Sequence, residues 1–290
     1  MALNLTSYAT LSDGSTTVLV PYTSQSVEED TTVIFADDGI NPDSSTTNHS
    51  CGRVRYFGDI EFPLSVRLAI FLKDWIVTDW KVAMTRTLVI DNSLQKYTYA
   101  SIFCNNWELS CNAEGFMSCR IGVMGYGSAA NNYLRLEGTS TAYAYTEALA
   151  NYDAIPWHKT RLYGTGNYVF DTSSVTTFNF SIGNNIQEIA SGDDYLVNRR
   201  FDYSSPTASG SVTLYHATTI GKPGFSSPWA TGLYVPSAIV SGDFGNPSLY
   251  LTFPRCVPTT YPDAGGSRRD WRTRTINFTC ERTSGYGVVY

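Results

Sequence analysis

Apolar and polar side chains alternate along much of the chain, in the period-two pattern of strands with one buried face. The pattern is clearest in eight segments: residues 32–35, 85–90, 97–103, 117–123, 177–182, 211–215, 249–254 and 273–280. Turn-forming residues separate them, for example at Asp91-Asn92-Ser93. The sequence therefore predicts a mainly β fold.

One segment departs from this alternation. After Pro63, apolar residues recur at spacings of three and four, which predicts an amphipathic helix packed on a sheet. Its apolar stripe consists of Leu64, Leu68, Phe71, Leu72, Trp75 and Ile76. Pro63 is expected near the first helical position, where a missing N–H group is tolerated.

The chain divides into two predicted lobes, residues 1–150 and 151–290. An Asn-Asn pair leads toward a strand in each half, at 105–106 and at 184–185, which suggests a duplicated β unit. The less patterned segment 129–166 is the expected connection between the lobes. Residues 1–50, rich in Ser, Thr and Asp, are expected to form an extended arm or long loops, and the Gly- and Pro-rich segment 221–247 a long functional loop.

Charge and composition narrow the functional classes. The 20 Lys and Arg against 26 Asp and Glu give a net charge of −6, which argues against a surface that grips nucleic-acid phosphates. The same charge is compatible with DNA sliding past without binding. Only 16% of residues are charged and 14% are aromatic, which favours a subunit whose surface is covered by neighbouring copies.

Motifs for catalysis, metal binding or cofactor binding are missing. The six cysteines have no zinc-type spacing and are expected to be reduced and buried, although pairing among Cys104, Cys111 and Cys119 across strands stays open. The sequence has no nucleophile elbow and no phosphate-binding loop, and the glycines of 122–127 are interpreted as turn residues. We expect no enzyme activity, no metal and no cofactor. No apolar run approaches the roughly 20 residues of a membrane span, so no membrane partner is expected.

The second half resembles the tail tube proteins of long-tailed bacteriophages. The resemblance lies in the order and pattern of the strands at 178–185, 210–214, 248–255 and 274–281, and more loosely at 56–128. It implies two related β-sandwich lobes with a flanking α-helix, whose inner strands form a β-barrel between subunits around a DNA channel. Rings would stack into a tube, with three chains per pseudo-sixfold ring favoured over six.

The resemblance also implies partners and a location. The expected partners are further copies of the chain, a tape-measure protein, tail tip or baseplate proteins and a tail terminator protein, with viral DNA passing through without specific binding. The expected location is the virion tail, after assembly in the host cytoplasm. We expect part of residues 1–50 or 221–247 to become a strand only on docking, so that assembly is conditional.

Candidate channel-lining residues follow from the alternation. They are polar side chains that share one strand face: Asn106, Glu108 and Ser110 in the first half, and Asn179, Ser181 and Gln187 in the second. Trp107 and Leu109 point the other way. The alternative is that this face is the solvated outside of the subunit.

Candidate contacts between rings or subunits are the arm, the 221–247 segment and one basic cluster. That cluster consists of Arg268, Arg269, Trp271, Arg272 and Arg274. Ion pairs between subunits or a solvated hairpin are favoured there over a nucleic-acid patch, because the chain as a whole is acidic.

Two other functions stay open at this level. The first is a carbohydrate-binding virion appendage that stacks sugars on Tyr and Trp side chains. The second is a β-sandwich hydrolase, which the absent motifs disfavour.

Overall fold

In a computed structural model of the chain, the described residues are 3–5, 7–36, 48–77, 86–126, 135–145, 153–165, 170–171, 175–189, 200–203, 207–215, 229–235, 249–259 and 273–280. The first half contains β1 (Leu3–Leu5), β2 (Tyr8–Ser12), β3 (Thr17–Val20), β4 (Ser24–Gln25), β5 (Glu28–Ala36), β6 (Asn48–Pro63), α1 (Val66–Val77), β7 (Arg86–Asp91), β8 (Gln95–Asn112), β9 (Ser118–Tyr126), β10 (Arg135–Thr139) and β11 (Tyr143–Tyr145). The second half contains β12 (Arg161–Thr165), β13 (Phe170–Asp171), β14 (Val175–Gly183), β15 (Ile186–Ile189), β16 (Arg200–Tyr203), β17 (Thr207–Tyr215), β18 (Trp229–Val235), β19 (Leu249–Pro258) and β20 (Thr273–Cys280).

Most of these strands belong to one antiparallel sheet. Its main path runs β13-β12-β18-β19-β20-β17-β14-β8-β7-β2-β3, with β6 and β9 joined beside β8. The mainly β prediction is confirmed, and the eight predicted segments correspond to β5, β7, β8, β9, β14, β17, β19 and β20. Within the described strands of one chain the sheet does not close on itself, so a barrel shared between subunits stays a prediction.

Strand β8 connects two parts of the sheet. Its first residues pair with β7 and β10, and its later residues pair with β9 and β14. Between the two parts, Ser101 has a φ of 57° and the register shifts between Cys104 and Asn106. Irregularities of this kind bend a strand. The bend places Tyr99 against Tyr56 of β6, with ring centroids 5.3 Å apart.

The sheet runs without a break from the first half of the chain to the second. Residues 106–112 of β8 pair in register with residues 177–183 of β14. The Asn pairs that suggested a duplication meet beside this junction, since the N–H of Asn184 donates to the carbonyl of Asn105 at 2.7 Å and its Nδ2 donates to the carbonyl of Cys104 at 2.7 Å. The division into lobes at residue 150 stays a prediction.

The predicted helix is present, with a different start. Ser65 caps it, because its Oγ accepts a hydrogen bond from the N–H of Leu68 at 3.2 Å. Pro63 instead ends β6 and lies outside the helix. Leu68, Leu72 and Trp75 are buried and α1 contacts β3, β8 and β19, so the apolar stripe packs on the sheet as expected.

The prediction of an extended arm or long loops is wrong for residues 8–20. Strands β2 and β3 form a hairpin around Asp13-Gly14, and β2 pairs with β7 in the main sheet. Leu11 and Val18 point into the main core, whereas Tyr8 packs on Tyr143 from the other side with ring centroids 5.0 Å apart. Burial of both faces removes the alternation that marks a half-buried strand. The Asp-Gly pair was the available signal.

Two further segments differ from expectation. Residues 229–235 of the predicted 221–247 loop form β18, which pairs with β12 and β19, so the strand already exists in the single chain. The rest of that segment lies outside the described residues. The predicted connection 129–166 also carries structure, because Ile155 is fully buried and its N–H donates to the carbonyl of Leu64 at 2.9 Å.

Asp91 organises the turn between β7 and β8. Its buried carboxylate accepts hydrogen bonds from the N–H of Ser93 at 2.9 Å, the Oγ of Ser140 at 2.6 Å and the N–H of Thr141 at 3.0 Å. Burial alone would raise the pKa of Asp91, but the hydrogen bonds from Ser140, Thr141 and Ser93 outweigh it and lower that pKa below its ordinary value of 3.8.

We expect Asp91→Asn to lower the free energy of unfolding by about 1–3 kcal/mol at neutral pH, because an amide nitrogen cannot accept the bond that the second carboxylate oxygen accepts. Urea unfolding measures the loss. The folded pKa is below the unfolded one, so the stabilisation is complete above pH 3.8 and disappears as pH falls through the folded pKa. The exposed Asp153 is the control position. Equal stability of Asp91→Asn and the unaltered chain at pH 7 would contradict the prediction.

Candidate functional site

A polar face begins where β8 and β14 pair. Glu108 lies opposite Ser181, and Ser110 lies opposite Asn179. All four side chains are partly exposed, whereas the side chains between them along each strand are buried. Pairing therefore places four of the six predicted channel-lining residues side by side, although they are separated by about 70 residues in sequence.

The same face continues through six strands. Two rows of directly paired positions cross it, in the order β6, β9, β8, β14, β17 and β20. The first row is Glu61, Arg120, Glu108, Ser181, Ser209 and Thr279. The second row is Pro63, Ser118, Ser110, Asn179, Ser211 and Asn277. We call this surface the polar face; further along the strands it includes Asp59, Asn106, Thr177, Thr213 and Thr275.

Sequence reasoning missed the contributions of β6, β9, β17 and β20 to the polar face. Each of these strands alternates in the same way as β8, so the signal was present strand by strand. What the sequence did not supply was the pairing partner, because Glu108 and Thr279 reach the same row from distant parts of the chain. Lateral pairing, not local pattern, assembles the surface.

The reverse side of these strands is the hydrophobic core. One further row of paired positions lies between the two polar rows and faces the core. It consists of Phe62, Cys119, Leu109, Phe180, Gly210 and Phe278. Phe180 packs on Phe178, Phe253 and Phe278, with ring centroids 5.3, 5.0 and 6.0 Å apart. This layer fixes which way the polar side chains point, because a slip by one residue would exchange the two faces.

Gly122 makes room for one of the predicted channel-lining residues. A Cβ atom at this position would lie 1.5 Å from Oδ1 of Asn106, so the amide of Asn106 occupies the place that a side chain would take. Likewise, a Cβ at Gly125 would lie 2.2 Å from the Tyr56 ring. The interpretation of these glycines as turn residues is wrong, since both lie within β9 and serve close packing.

The charged part of the polar face is a small cluster around one guanidinium. Arg120 forms an ion pair with Asp59, with an N–O distance of 2.7 Å. This hydrogen bond and the charge of Asp59, with further attraction from Glu108 and Glu61, raise the pKa of Arg120. Nδ2 of Asn179 donates a hydrogen bond to Oε1 of Glu108 and so links the two halves of the chain. Three carboxylates around one cation leave this cluster acidic.

Beyond this cluster the polar face is almost uncharged. On β14, β17 and β20 its described side chains are hydroxyls and amides, and Thr213 and Thr275 hydrogen-bond to each other at 2.9 Å between hydroxyl oxygens. Such groups exchange hydrogen bonds readily with water but offer no positive charge to hold a phosphate. Across the described residues, no group of three or more His, Cys, Asp or Glu side chains is placed to hold a metal ion.

The remaining predicted site residues lie elsewhere. Gln187 is on β15, which pairs with β16 in a separate two-stranded sheet, opposite Asp202. Strand pairing therefore does not bring Gln187 onto the polar face. Arg274 is in β20, opposite Leu214. The other members of the basic cluster lie outside the described residues: Arg268, Arg269, Trp271 and Arg272.

The sequence of the chain matches a known protein family. A family model described as phage tail tube protein matches residues 14–279. The chain belongs to the phage tail tube protein family. It is a structural protein of the bacteriophage virion, a subunit of the tail tube, and it assembles with itself and with other tail components. None of the curated proteins compared with it matches.

The family match covers both halves of this tail tube protein. It begins at Gly14, in the turn between β2 and β3, and ends at Thr279 in β20. All strands that contribute to the polar face are therefore inside the match. Where the structure describes this tail tube protein, no helix is long and apolar enough to cross a lipid bilayer.

Proposed function

We propose that the chain forms stacked rings whose central channel conducts viral DNA into the host, with the polar face lining the channel. The observation that carries this proposal is the composition of that face on four of its six paired strands. A face that meets bulk solvent is usually rich in Lys and Glu. Here the described side chains of β8, β14, β17 and β20 on this face are Ser, Thr and Asn, with Glu108 as the charged member.

This composition suits a conduit. Positive charge would hold phosphates and release counterions, which would slow DNA in transit. Large apolar side chains would offer stacking surfaces to exposed bases. The acidic cluster at Arg120 adds weak repulsion, so DNA would pass without specific binding.

The strand count favours three chains in a ring. The first half of the chain supplies β6, β9 and β8 to the polar face, and the second half supplies β14, β17 and β20. Three chains would thus repeat a three-strand unit six times around the axis, whereas six chains would double the channel circumference. Joining the edges of neighbouring sheets into a barrel would also remove open strand edges, which otherwise invite uncontrolled association.

The proposal includes the remaining partners. The tube would form around a tape-measure protein, between a tail tip or baseplate and a tail terminator protein, in the host cytoplasm, and catalysis plays no part. Contacts between rings or subunits are assigned to parts of 1–50 and 221–247, and to the cluster of Arg268, Arg269, Trp271, Arg272 and Arg274. A strand that forms only on docking cannot be any of β1 to β5 or β18, because these are already strands in the single chain.

Electron microscopy of the purified protein at high concentration, with and without a tail-tip extract, tests the proposal. We expect hollow tubes whose averaged cross-section shows pseudo-sixfold symmetry from three chains. To locate the polar face, Ser181→Cys is labelled with a maleimide gold cluster in a Cys280→Ser background and mixed at a low fraction with unlabelled chains. Gold density is expected at the channel wall.

The matched control is Ser15→Cys in the same background, because Ser15 is an exposed serine in the turn between β2 and β3, away from the polar face. Its gold density should not fall on the channel wall. If the gold label at Ser181 lies on the outer surface of the tube, the polar face faces solvent and the proposal that it lines the channel is wrong. If the protein stays as compact single particles under all conditions and binds sugar saturably, the tube proposal is wrong and a carbohydrate-binding module is the better interpretation.

A further inference from the structure

Two cysteines face each other at the junction between β19 and β20. Cys256 lies directly opposite Cys280, and their Sγ atoms are 3.8 Å apart. The N–H of Thr259 donates to the carbonyl of Asn277 at 2.8 Å, so Thr259 and Asn277 form a hydrogen-bonded pair of the β19–β20 ladder. Counting along both strands, Cys256 and Cys280 occupy a non-hydrogen-bonded pair, where Cα atoms lie about 4.5 Å apart. That separation is within the range of a disulfide.

The two cysteines lie where β19 and β20 pair over only a short stretch. Strand β20 pairs with β19 through three residue pairs, from 256–258 to 278–280, but with β17 through seven. Strand β19 carries β18, β12 and β13 beyond it. A covalent link between Cys256 and Cys280 would therefore fasten this group of outer strands to the strands of the polar face.

Cys104, Cys111 and Cys119 are poor candidates for oxidation. Cys104 and Cys119 are buried, and burial raises the pKa of Cys104 to about 12 and that of Cys119 further above its ordinary value. Cys119 also accepts a hydrogen bond from Nε1 of Trp107 at 3.2 Å. Burial raises the pKa of Cys111 to about 11. Cys280, in contrast, is partly exposed and open to an oxidant.

We propose that Cys256 and Cys280 form a redox-dependent pair, which is a dithiol in a reducing cytoplasm and an intrachain disulfide after the virion enters oxidising surroundings. The oxidant belongs to the class of small-molecule disulfides, such as oxidised glutathione. The Cys280 thiolate attacks one sulfur of the oxidant, forming a mixed disulfide and releasing one thiol. The Cys256 thiolate then attacks Sγ of Cys280 and releases the second thiol.

The electrons and protons of this exchange balance. The two protein thiols lose two electrons and two protons, and one molecule of oxidised glutathione gains them to become two molecules of glutathione. The product closes a loop from residue 256 to residue 280. By restricting the unfolded chain, the link is expected to raise the thermal unfolding midpoint by about 5–10 °C.

The test treats the full chain, purified in reductant, with a glutathione buffer rich in the oxidised form. Remaining thiols are blocked and the chain is digested with trypsin without reduction. Cleavage after Arg255 and Arg274 places the two cysteines on different peptides. Mass spectrometry is expected to find these peptides joined, and the thermal midpoint is expected to rise and to return on reduction.

Cys280→Ser is the informative variant, because the side chain of Cys280 is partly exposed and a serine hydroxyl there would reach solvent. It should lose both the joined peptides and the redox-dependent shift of the midpoint, whereas the control Cys111→Ser should keep both. Blocked thiols at both positions after oxidation would overturn the proposal. So would glutathione attached to Cys280 without a bond to Cys256, or a disulfide that joins two chains.

Discussion

Replacing Phe180 by alanine is expected to lower the free energy of unfolding by about 3–5 kcal/mol, the cost of a large cavity in a packed core. Phe180 is fully buried and lies in van der Waals contact with three further phenylalanine rings, those of Phe178, Phe253 and Phe278. It also stands directly behind the polar face, between Leu109 and Gly210. The cavity would therefore loosen the strands that hold Asn179 and Ser181.

Equilibrium unfolding in urea measures this effect. The control is Phe116→Ala, since Phe116 is 62% exposed in the turn between β8 and β9 and its loss should leave stability nearly unchanged. If the variant does not fold well enough for a full unfolding curve, Phe180→Leu gives a smaller loss of the same sign. A Phe180→Ala chain as stable as Phe116→Ala would show that the aromatic layer does not hold the sheet together.

Gly58→Ala is expected to lower the free energy of unfolding by about 2–5 kcal/mol, from a clash and from backbone strain together. Gly58 has a φ of 154°, which L side chains rarely adopt. A Cβ there would lie 2.4 Å from the carbonyl oxygen of Ser26 and 2.6 Å from Cα of Val27. These are backbone atoms, and Ser26 is hydrogen-bonded to Asp59, so the chain cannot simply turn a side chain away.

Gly14→Ala separates the two causes. Gly14 also has a positive φ, 94°, but a Cβ there would meet no atom within 4 Å. Its expected loss is about 1–2 kcal/mol, from strain alone. Thermal unfolding of both variants measures the difference that the clash contributes. Equal losses at the two glycines would mean that the segment at Ser26 moves aside and that its packing on β6 is weak.

The two substitutions address different requirements of a tube subunit. Phe180 belongs to the apolar layer that orients the six strands, and Gly58 lets the chain before β5 pack closely on β6 beside Asp59. The core side of these strands is buried, and on the polar side the charge of Arg120 is offset by Asp59, Glu61 and Glu108. The proposed function therefore places the contacts that stabilise the fold and the surface that lines the channel on opposite faces of the same strands.

Local pattern was sufficient for the helix and for eight of the twenty described strands. Alternation located the strands that correspond to β5, β7, β8, β9, β14, β17, β19 and β20, and the spacing of Leu68, Leu72 and Trp75 located α1. It failed at β2 and β3, where Leu11 and Tyr8 are buried on opposite sides of the sheet. A strand covered on both faces has no period of two to detect.

The candidate site shows the same limit. Sequence determined which side chains share a face of one strand, because the side chains of a strand alternate whatever its neighbours are. It therefore placed Glu108 with Ser110, and Asn179 with Ser181. Gln187 was assigned to the same surface, but β15 pairs only with β16 among the described strands.

The sequence by itself determined eight of the strands and the helix, because these depend on residues close together in the chain. It also determined the acidic character and the family resemblance, which follow from composition and from the order of the strands. Only the tertiary structure decided that Glu61, Glu108 and Thr279 lie in one row and that Cys256 faces Cys280. Those relations depend on which distant strands pair. The free energy of pairing comes from core contacts, such as those of Phe180, that no local pattern encodes.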